Sequence, residues 1–227
     1  ADNEHGFPYG TTTGLSQGRR DPDVNLNPEF TLSKEVGIEL SLFKSRLTFN
    51  GTVYQTNSTD QIVPINVSFA SGATSILTNI GEIENKGIEL DLKGTIFKTE
   101  NFAWKLGANY SGYKSKVVSL FDGVDEVNIG GFTDAQIIAK VGESYPLIRT
   151  SSYSRDSEGR VIVGDNGNPL KDSKNQVQGK TTPDYILGLN TQVTYKGWTL
   201  YAVADYRTGH VYYNNLGDAL EFTGLTQ

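Results

Sequence analysis

The sequence has 227 residues, a formal net charge of -6 and a pI near 5.0. Its mean hydropathy is -0.38 and no run of about 18 apolar residues occurs, which excludes a transmembrane helix. The acidic balance and the lack of a dense Lys/Arg run argue against nucleic acid as a partner, and the absence of Cys excludes disulfides and thiolate metal sites.

Aromatic residues and glycines indicate an all-β chain. Twelve Tyr, ten Phe and 25 Gly suit strands that end in aromatic side chains and are joined by tight turns. Low hydropathy does not exclude a transmembrane β-barrel, because only alternate residues of each strand face lipid. The length is also sufficient for a soluble β domain, so both classes remain at this point.

The first segment, residues 1–33, is rich in Gly, Thr, Asn, Asp and Pro, which predicts a long loop. Asp21, Asp23 and Asn25 resemble the start of a calcium-binding loop. Leu26 occupies the position of the required glycine and the closing Glu is missing, so a plain turn is favoured over a metal site.

Six segments of alternating apolar and polar residues follow, which predicts six two-faced strands. They are residues 36–42, 47–54, 85–97, 102–110, 185–195 and 198–206. Short turns at 44–45, 98–101 and 196–197 join them into three hairpins, whereas the connections 55–84 and 112–184 are long. Within the long connections, we expect Pro64 at a sheet edge and a small hairpin strand at 160–163.

The strand at 85–97 has the clearest alternation. Its apolar face carries Ile88, Leu90, Leu92 and Ile96. Its polar face carries Glu89, Asp91, Lys93 and Thr95. In a barrel the apolar face meets lipid, so we expect Glu89, Asp91 and Lys93 to face the lumen.

The order of short and long connections favours the barrel. Outer-membrane barrels have short periplasmic turns and long extracellular loops, and strands of about ten to twelve residues suit a tilted bilayer span. Aromatic residues flank the short turns, as a belt at the membrane interface requires: Trp104, Tyr195 and Trp198. We expect Tyr54, Tyr110 and Tyr206 at the opposite rim. Since barrels close with at least eight strands, six strands are part of a larger barrel.

No enzymatic chemistry or cofactor is expected. The two histidines, His5 and His210, lie near Gly-rich loops without a nucleophile and carboxylate at recognisable spacing. The glycines form no phosphate-binding motif.

Three blocks of sequence resemble the SusC/RagA-like TonB-linked outer-membrane transporters of the Bacteroidetes type. The blocks are residues 27–37, residues 54–62 with Tyr54 and Asp60-Gln61-Ile62, and residues 79–90. Residues 114–125 and 141–146 are also similar to this family. The resemblance covers most of residues 22–210 and matches the C-terminal part of the barrel.

The resemblance implies a barrel of about 22 strands, plugged by an N-terminal domain that opens when a TonB complex pulls on it. It also implies a SusD-like lipoprotein lid and an oligosaccharide or peptide substrate. We therefore expect an extracellular loop region at 1–33, partial barrel at 34–210 and the start of a further extracellular loop or strand at 211–227. The plug and the TonB-contacting segment lie outside this sequence. The alternatives are a passive channel, a barrel enzyme and a soluble β-sandwich binding module.

Overall fold

A computed structural model of the chain describes residues 20–121, 123–132, 134–217, 220 and 223–224. The expectations for residues 1–19, including His5, and for residues 218–219, 221–222 and 225–227 lie outside these residues. No helix in the described ranges is long and apolar enough to cross a bilayer.

The described residues have an all-β fold. In chain order the strands are β1 (Arg20–Pro22), β2 (Phe30–Leu42), β3 (Leu47–Thr59), β4 (Ile62–Asn66), β5 (Ser75–Asn79), β6 (Glu82–Lys98), β7 (Phe102–Ser119), β8 (Glu126–Gly131), β9 (Ala135–Lys140), β10 (Leu147–Thr150), β11 (Gln176–Lys180), β12 (Tyr185–Tyr195) and β13 (Trp198–Thr208). A short 3-10 turn, Phe69–Ser71, lies between β4 and β5.

The largest sheet contains the six strands that alternation predicts, in the order β13-β12-β7-β6-β3-β2. Every neighbouring pair is antiparallel, and the sheet is open, with β2 and β13 at its edges. All three predicted short turns are confirmed. At one of them, Lys196 and Gly197 have φ values of 45° and 86°, which is the left-handed pair that a two-residue hairpin turn needs.

Four strands of this sheet are longer than the ten to twelve residues expected: β2 and β3 have 13 residues each, and β6 and β7 are longer still. β6 has 17 residues and β7 has 18. Their outer parts carry polar residues on both faces, so the alternation signal ends while the backbone ladder continues. β2 begins at Phe30, inside the segment expected to be loop, where Phe30 and Leu32 alternate with Thr31 and Ser33, and the Thr31 hydroxyl lies 3.0 Å from that of Ser58.

Two smaller sheets lie at the end of the large sheet where the long connections emerge, which we call the long-loop end. Their orders are β1-β5-β4 and β11-β10-β9-β8. Pro64 lies in β4, an edge strand as predicted. Residues 160–163 form isolated bridges, Arg155 with Val161 and Val163 with Pro169, rather than a full strand.

The second small sheet is joined to β7 by backbone hydrogen bonds. Val117 N–H donates to the Glu143 carbonyl at 3.0 Å, and Gly142 N–H donates to the Val117 carbonyl at 2.9 Å. Apolar residues from the sheets and their connections are buried here: Ala73, Ile80, Ile83, Val117, Val127, Ala135, Ile138, Ala139, Leu147 and Ile148. The hydrophobic core of the described chain therefore lies at the long-loop end.

Candidate functional site

The six-stranded sheet has one apolar and one polar face across its full width. Residues directly opposite each other in an antiparallel pair project to the same face, so the alternation of each strand is carried to its neighbour by the register. One apolar row contains Ile38, Gly51, Leu90, Tyr110, Leu187 and Tyr206. In other rows of the same face, large side chains are not covered by the rest of the chain: Val36 is 73% exposed and Leu200 is 71% exposed.

Aromatic side chains bound the apolar face at both ends. Trp104, Tyr195 and Trp198 lie beside the short turns, and Trp198 is 83% exposed. The indole Nε1 of Trp104 donates to Thr191 Oγ1 at 2.9 Å, so its polar atom is satisfied while its ring remains on the apolar face. The assignment of these three residues to a membrane belt remains a prediction.

A tyrosine cluster lies at the other end of the same face. The ring centroids of Tyr110 and Tyr185 are 5.6 Å apart, and those of Tyr185 and Tyr206 are 6.1 Å apart. Tyr54, which we expected in this group, lies on the opposite face: it is the register partner of Gly87 and its ring covers that residue. The sequence expectation for Tyr54 as a belt residue is therefore wrong, because Tyr54 is in phase with the polar residues of β3.

The height of the apolar face matches a bilayer core. β12 runs along it for 11 residues, from Tyr185 to Tyr195. At about 3.3 Å per residue this is about 33 Å along the strand. With the tilt of about 40° that is usual in barrels, the vertical height is about 25 Å, which is the apolar band of outer-membrane barrels.

The polar face brings Glu89, Asp91 and Lys93 together on β6. Lys93 Nζ lies 2.8 Å from Asp91 Oδ1, and the lysine side chain is largely exposed. Glu89 is opposite Thr52 and Ser111, and Asp91 is opposite Asn50 and Asn109. The charged residues therefore occupy the middle of a hydroxyl-rich and amide-rich surface. Their assignment to a lumen remains a prediction.

Two asparagine–glycine pairs shape this polar face. A Cβ on Gly188 would lie 2.6 Å from the Asn109 side-chain amide, and a Cβ on Gly107 would lie 2.6 Å from that of Asn190. Each glycine therefore allows an amide from the neighbouring strand to lie flat across the backbone. The sequence analysis missed these residues, although a glycine inside an alternating strand is the available signal for such a close approach.

Two shallow grooves on the polar face offer hydrogen-bonding groups. One has a volume of about 320 Å³ and is lined by Asn50, Thr52, Glu89, Asp91, Asn109 and Ser111 among others. The other, about 330 Å³, is lined by residues that include Thr48, Lys93, Asn190, Gln192 and Tyr201. The described residues hold no group of three or more His, Cys, Asp or Glu side chains that would bind a metal. The surface is suited to binding polar solutes by hydrogen bonds.

The long-loop end has its own polar anchors. Arg149 on β10 pairs with Glu126 on β8, and its Nη2 donates to Gln136 Oε1 on β9 at 2.7 Å, so one guanidinium links three strands. Burial raises the pKa of Tyr145 in the turn before β10.

In the first turn, Asn25 N–H and the Thr78 hydroxyl donate to the Asp23 carboxylate and lower its pKa. This is the plain turn that the sequence favoured.

A two-faced meander of long strands with short turns at one end is the arrangement of a barrel wall. The family model described as "TonB dependent receptor-like, beta-barrel" matches residues 5–225. The chain belongs to this family. This membership extends over almost the full sequence and includes all six strands of the large sheet.

The sequence is also similar to individual TonB-dependent receptors. The chain is 30% identical over 207 residues to TonB-dependent receptor P26 of Formosa agariphila, covering 81% of this chain and 20% of that protein. It is 24% identical over 231 residues to TonB-dependent receptor SusC of Bacteroides thetaiotaomicron, covering 93% of this chain and 23% of that protein. The chain thus spans about a fifth of the length of these relatives.

The fold is also found in a solved structure, that of the RagAB peptide transporter. The TM-score is 0.64 at 22% identity, and the match covers 80% of this chain and 21% of that chain. This similarity supports the fold of the TonB-dependent receptor barrel for the chain.

Proposed function

We propose that the chain forms part of the wall of a TonB-dependent importer that carries a nutrient across the bacterial outer membrane. The observation that carries the proposal is the match of residues 5–225 to the TonB-dependent receptor barrel family. The two-faced sheet supports it physically, because an exposed apolar face about 25 Å high needs lipid and a polar face needs water.

In this proposal the short turns are periplasmic and the long-loop end is extracellular. Residues 34–210 are part of a barrel of about 22 strands, and residues 1–33 and 211–227 belong to extracellular segments. Glu89, Asp91 and Lys93 face the lumen, while Trp104, Tyr195 and Trp198 form the periplasmic aromatic belt. The barrel is closed by strands outside this sequence.

The proposed partners are a TonB complex, acting on a plug domain, and a SusD-like surface lipoprotein that covers the barrel mouth. Similarity to SusC supports this arrangement. The RagAB peptide transporter, which has the same fold, makes a peptide one proposed substrate class, beside the oligosaccharide that the sequence resemblance implies. The hydroxyl and amide groups of the polar face suit either class, since both present many hydrogen-bonding groups.

Uptake in cells tests the proposal. Cells that produce the full-length protein are supplied with labelled oligosaccharides and with labelled peptides, with and without a functional TonB complex. We expect one class to accumulate against its gradient only when TonB is present. Accumulation that is equal without TonB would identify a passive channel, and chemical conversion of the substrate by the purified protein would identify an enzyme.

The orientation is tested by cysteine labelling of the full-length protein in cells. The 227 residues contain no Cys, so a Cys introduced here has no competing thiol within the sequence. We expect Glu89→Cys to react with a small water-soluble maleimide and the matched Leu90→Cys to be protected by lipid. Equal labelling at the two adjacent positions would contradict the assignment of the faces.

A further inference from the structure

Short turns join three of the strand pairs in the large sheet, β2–β3, β6–β7 and β12–β13. A tight hairpin turn fixes which residues of its two strands lie opposite each other. The other two pairs, β3–β6 and β7–β12, are joined only through the long connections. Their register must therefore be set by contacts between the strands themselves.

The alternation of apolar and polar residues does not set this register completely. A slip of one residue would turn the apolar side chains of a strand to the opposite face, but a slip of two residues would not. If β6 moved by two residues along β3, Leu90 would lie opposite Val53 in place of Ile88. Both faces would keep their character, so the pattern permits this error.

A contact between Tyr54 and Gly87 distinguishes the native register of β3 and β6. The two residues are direct partners on the polar face, and a Cβ on Gly87 would clash with Cζ and Oη of Tyr54. The ring thus lies over the backbone of β6, where only glycine leaves room for it. A slip of two residues would place Tyr54 opposite Asn85 or Glu89, and the Cβ of either residue would displace the ring.

Two contacts of the same kind lie between β7 and β12. Asn109 is the direct partner of Gly188, and Asn190 is the direct partner of Gly107. In each pair, a Cβ on the glycine would lie 2.6 Å from the asparagine side-chain amide. A slip of two residues would place Asn109 opposite Asn190 or Ile186, which both carry a Cβ. We call three pairs the glycine contacts: Tyr54–Gly87, Asn109–Gly188 and Asn190–Gly107.

The glycine contacts occur on the two strand pairs that lack a short turn. At the other glycines of the large sheet, the nearest side chain from a neighbouring strand is farther away. A Cβ on Gly37 would lie 3.3 Å from Thr52 Oγ1 in the hairpin β2–β3, and a Cβ on Gly94 would lie 3.4 Å from Leu47 Cδ1. The tightest fits between a side chain and a glycine therefore lie where turns leave the register undetermined.

Side-chain hydrogen bonds also cross from β3 to β6, but they select the register less strictly. Gln55 Nε2 donates to Glu84 Oε2 at 2.7 Å, and Asn57 Nδ2 donates to Glu82 Oε1 at 2.8 Å. Each bond joins residues two positions away from direct pairing, so a slip in one direction would bring Gln55 directly opposite Glu84. Flexible glutamate side chains can follow such a slip, whereas a glycine has no substitute at the neighbouring positions.

We propose that the glycine contacts set the register of β3 with β6 and of β7 with β12 when the barrel wall assembles. They exclude slips of two residues, because a displaced Tyr54 or Asn109 would meet a Cβ. The correct register also builds one groove of the polar face, since it brings Thr52, Glu89 and Ser111 into one row. These contacts act on the wall itself, so they do not depend on which substrate is carried.

Disulfide formation in the full-length protein, in isolated outer membranes treated with an oxidant, measures the register. A disulfide needs two Cβ atoms about 4 Å apart, which favours residues directly opposite each other. Thr52→Cys/Glu89→Cys reports the native register of β3 and β6. Slips of two residues in the two directions are reported by Thr52→Cys/Asp91→Cys and by Asn50→Cys/Glu89→Cys. We expect only the native pair to oxidise when the glycine contacts are intact.

Removal of the Tyr54 ring should permit the slip. In Tyr54→Ala, the yield of the slipped disulfides should rise by about fivefold, the effect of losing one cross-strand pair. Tyr54→Phe keeps the ring over Gly87 and should retain the native register. The matched control is Tyr113→Ala, since Tyr113 is the partner of Gly87 in the hairpin β6–β7, where the short turn sets the register. An unchanged slipped yield in Tyr54→Ala, or an equal rise in the control, would overturn the inference.

A second measurement places a Cβ where the ring lies. Alanine is normally more favourable than glycine inside a strand. We nevertheless expect Gly87→Ala to lower the yield of heat-modifiable full-length barrel, because the Tyr54 ring is displaced. Gly94→Ala on the same strand should assemble like the wild type. Equal yields for the two variants would contradict a role for the contact in assembly.

The contacts between β7 and β12 provide an independent test if Tyr54→Ala does not assemble. Lys105→Cys/Gln192→Cys reports their native register, and slips of two residues are reported by Lys105→Cys/Thr194→Cys and Ala103→Cys/Gln192→Cys. Asn109→Ala/Asn190→Ala should raise the slipped yield by at least about fivefold, and no rise would overturn the inference. Disulfide yields are measured without substrate and without TonB, so failure of the proposed import function would leave this result unchanged.

Discussion

The long-loop end and the six-stranded sheet use apolar residues in opposite ways. At the long-loop end, Ile80, Val117 and Ile138 are almost fully buried between small sheets and their connections, as in a water-soluble domain. On the large sheet, residues of the same type, such as Val36 and Leu200, project away from the chain and are not covered. The chain therefore buries apolar residues in one region and leaves them exposed in the other.

This difference has a further consequence for charges. At the long-loop end, Arg149 is held by partners on two neighbouring strands, whereas on the polar face of the sheet the Lys93 side chain is largely exposed beside Asp91. Charges in the packed region connect strands, and those on the sheet remain available to solvent and solutes.

The largest effect is expected when residues 1–227 are produced alone. The open sheet leaves β2 and β13 as edges with unpaired backbone groups, and its apolar face has no cover. We expect aggregation in water, measured by size-exclusion chromatography and light scattering. A monodisperse species that unfolds cooperatively without detergent would instead support the soluble β-sandwich module.

The second prediction concerns the packed region. Ile138 is 0% exposed, so Ile138→Ala in the full-length protein should lower the free energy of unfolding by about 2 to 5 kcal/mol, through lost burial and a cavity. Urea titration of the long-loop end, followed by hydrogen exchange, measures this loss. The control is Leu200→Ala on the exposed apolar face, which creates no internal cavity and should leave the exchange of β8, β9 and β10 unchanged.

The third prediction distinguishes the two faces of the sheet. Leu90 lies in the middle of the apolar face, so Leu90→Arg should cost about 2 to 4 kcal/mol by placing a cation in lipid. Asp91→Arg, at the adjacent position on the polar face, should be tolerated. Heat-modifiability of the full-length barrel on a gel reports folding, and equal damage at the two positions would mean that neither face meets lipid.

The smallest effect is a local pH dependence in the projecting connection between β10 and β11. Arg160 lowers the pKa of Asp156 below its ordinary value of 3.8, first through its backbone N–H and then through its side chain. Since the folded value is depressed, the stabilisation is complete above 3.8 and is lost as pH falls through the folded pKa.

Hydrogen exchange of residues 156–160, corrected for intrinsic rates, measures this loss. Protection should fall as the pH is lowered through about 3.8 and below. The Asp156→Asn variant removes the titrating group, so its protection should not change over the same range. A pH response that persists in the variant would assign the effect to another group.

The sequence by itself determined the six strands of the large sheet, their three short turns and the two faces of β6. These features follow from local alternation and turn chemistry, because the period of two is present within each strand. The same local signal placed Glu89, Asp91 and Lys93 on one face. It also contained the information that Tyr54 is in phase with Thr52, which our expectation for the belt overlooked.

Only the tertiary structure decided how far the strands extend and which residues meet across them. The outer parts of β6 and β7 carry polar residues on both faces, so the alternation is weak there, and their pairing is set by the ladder and by the core around Ile83 and Val117. The close approach of Asn109 to Gly188 depends on register between segments that are distant in sequence. Register follows from the packing of whole strands, and no single stretch of sequence contains it.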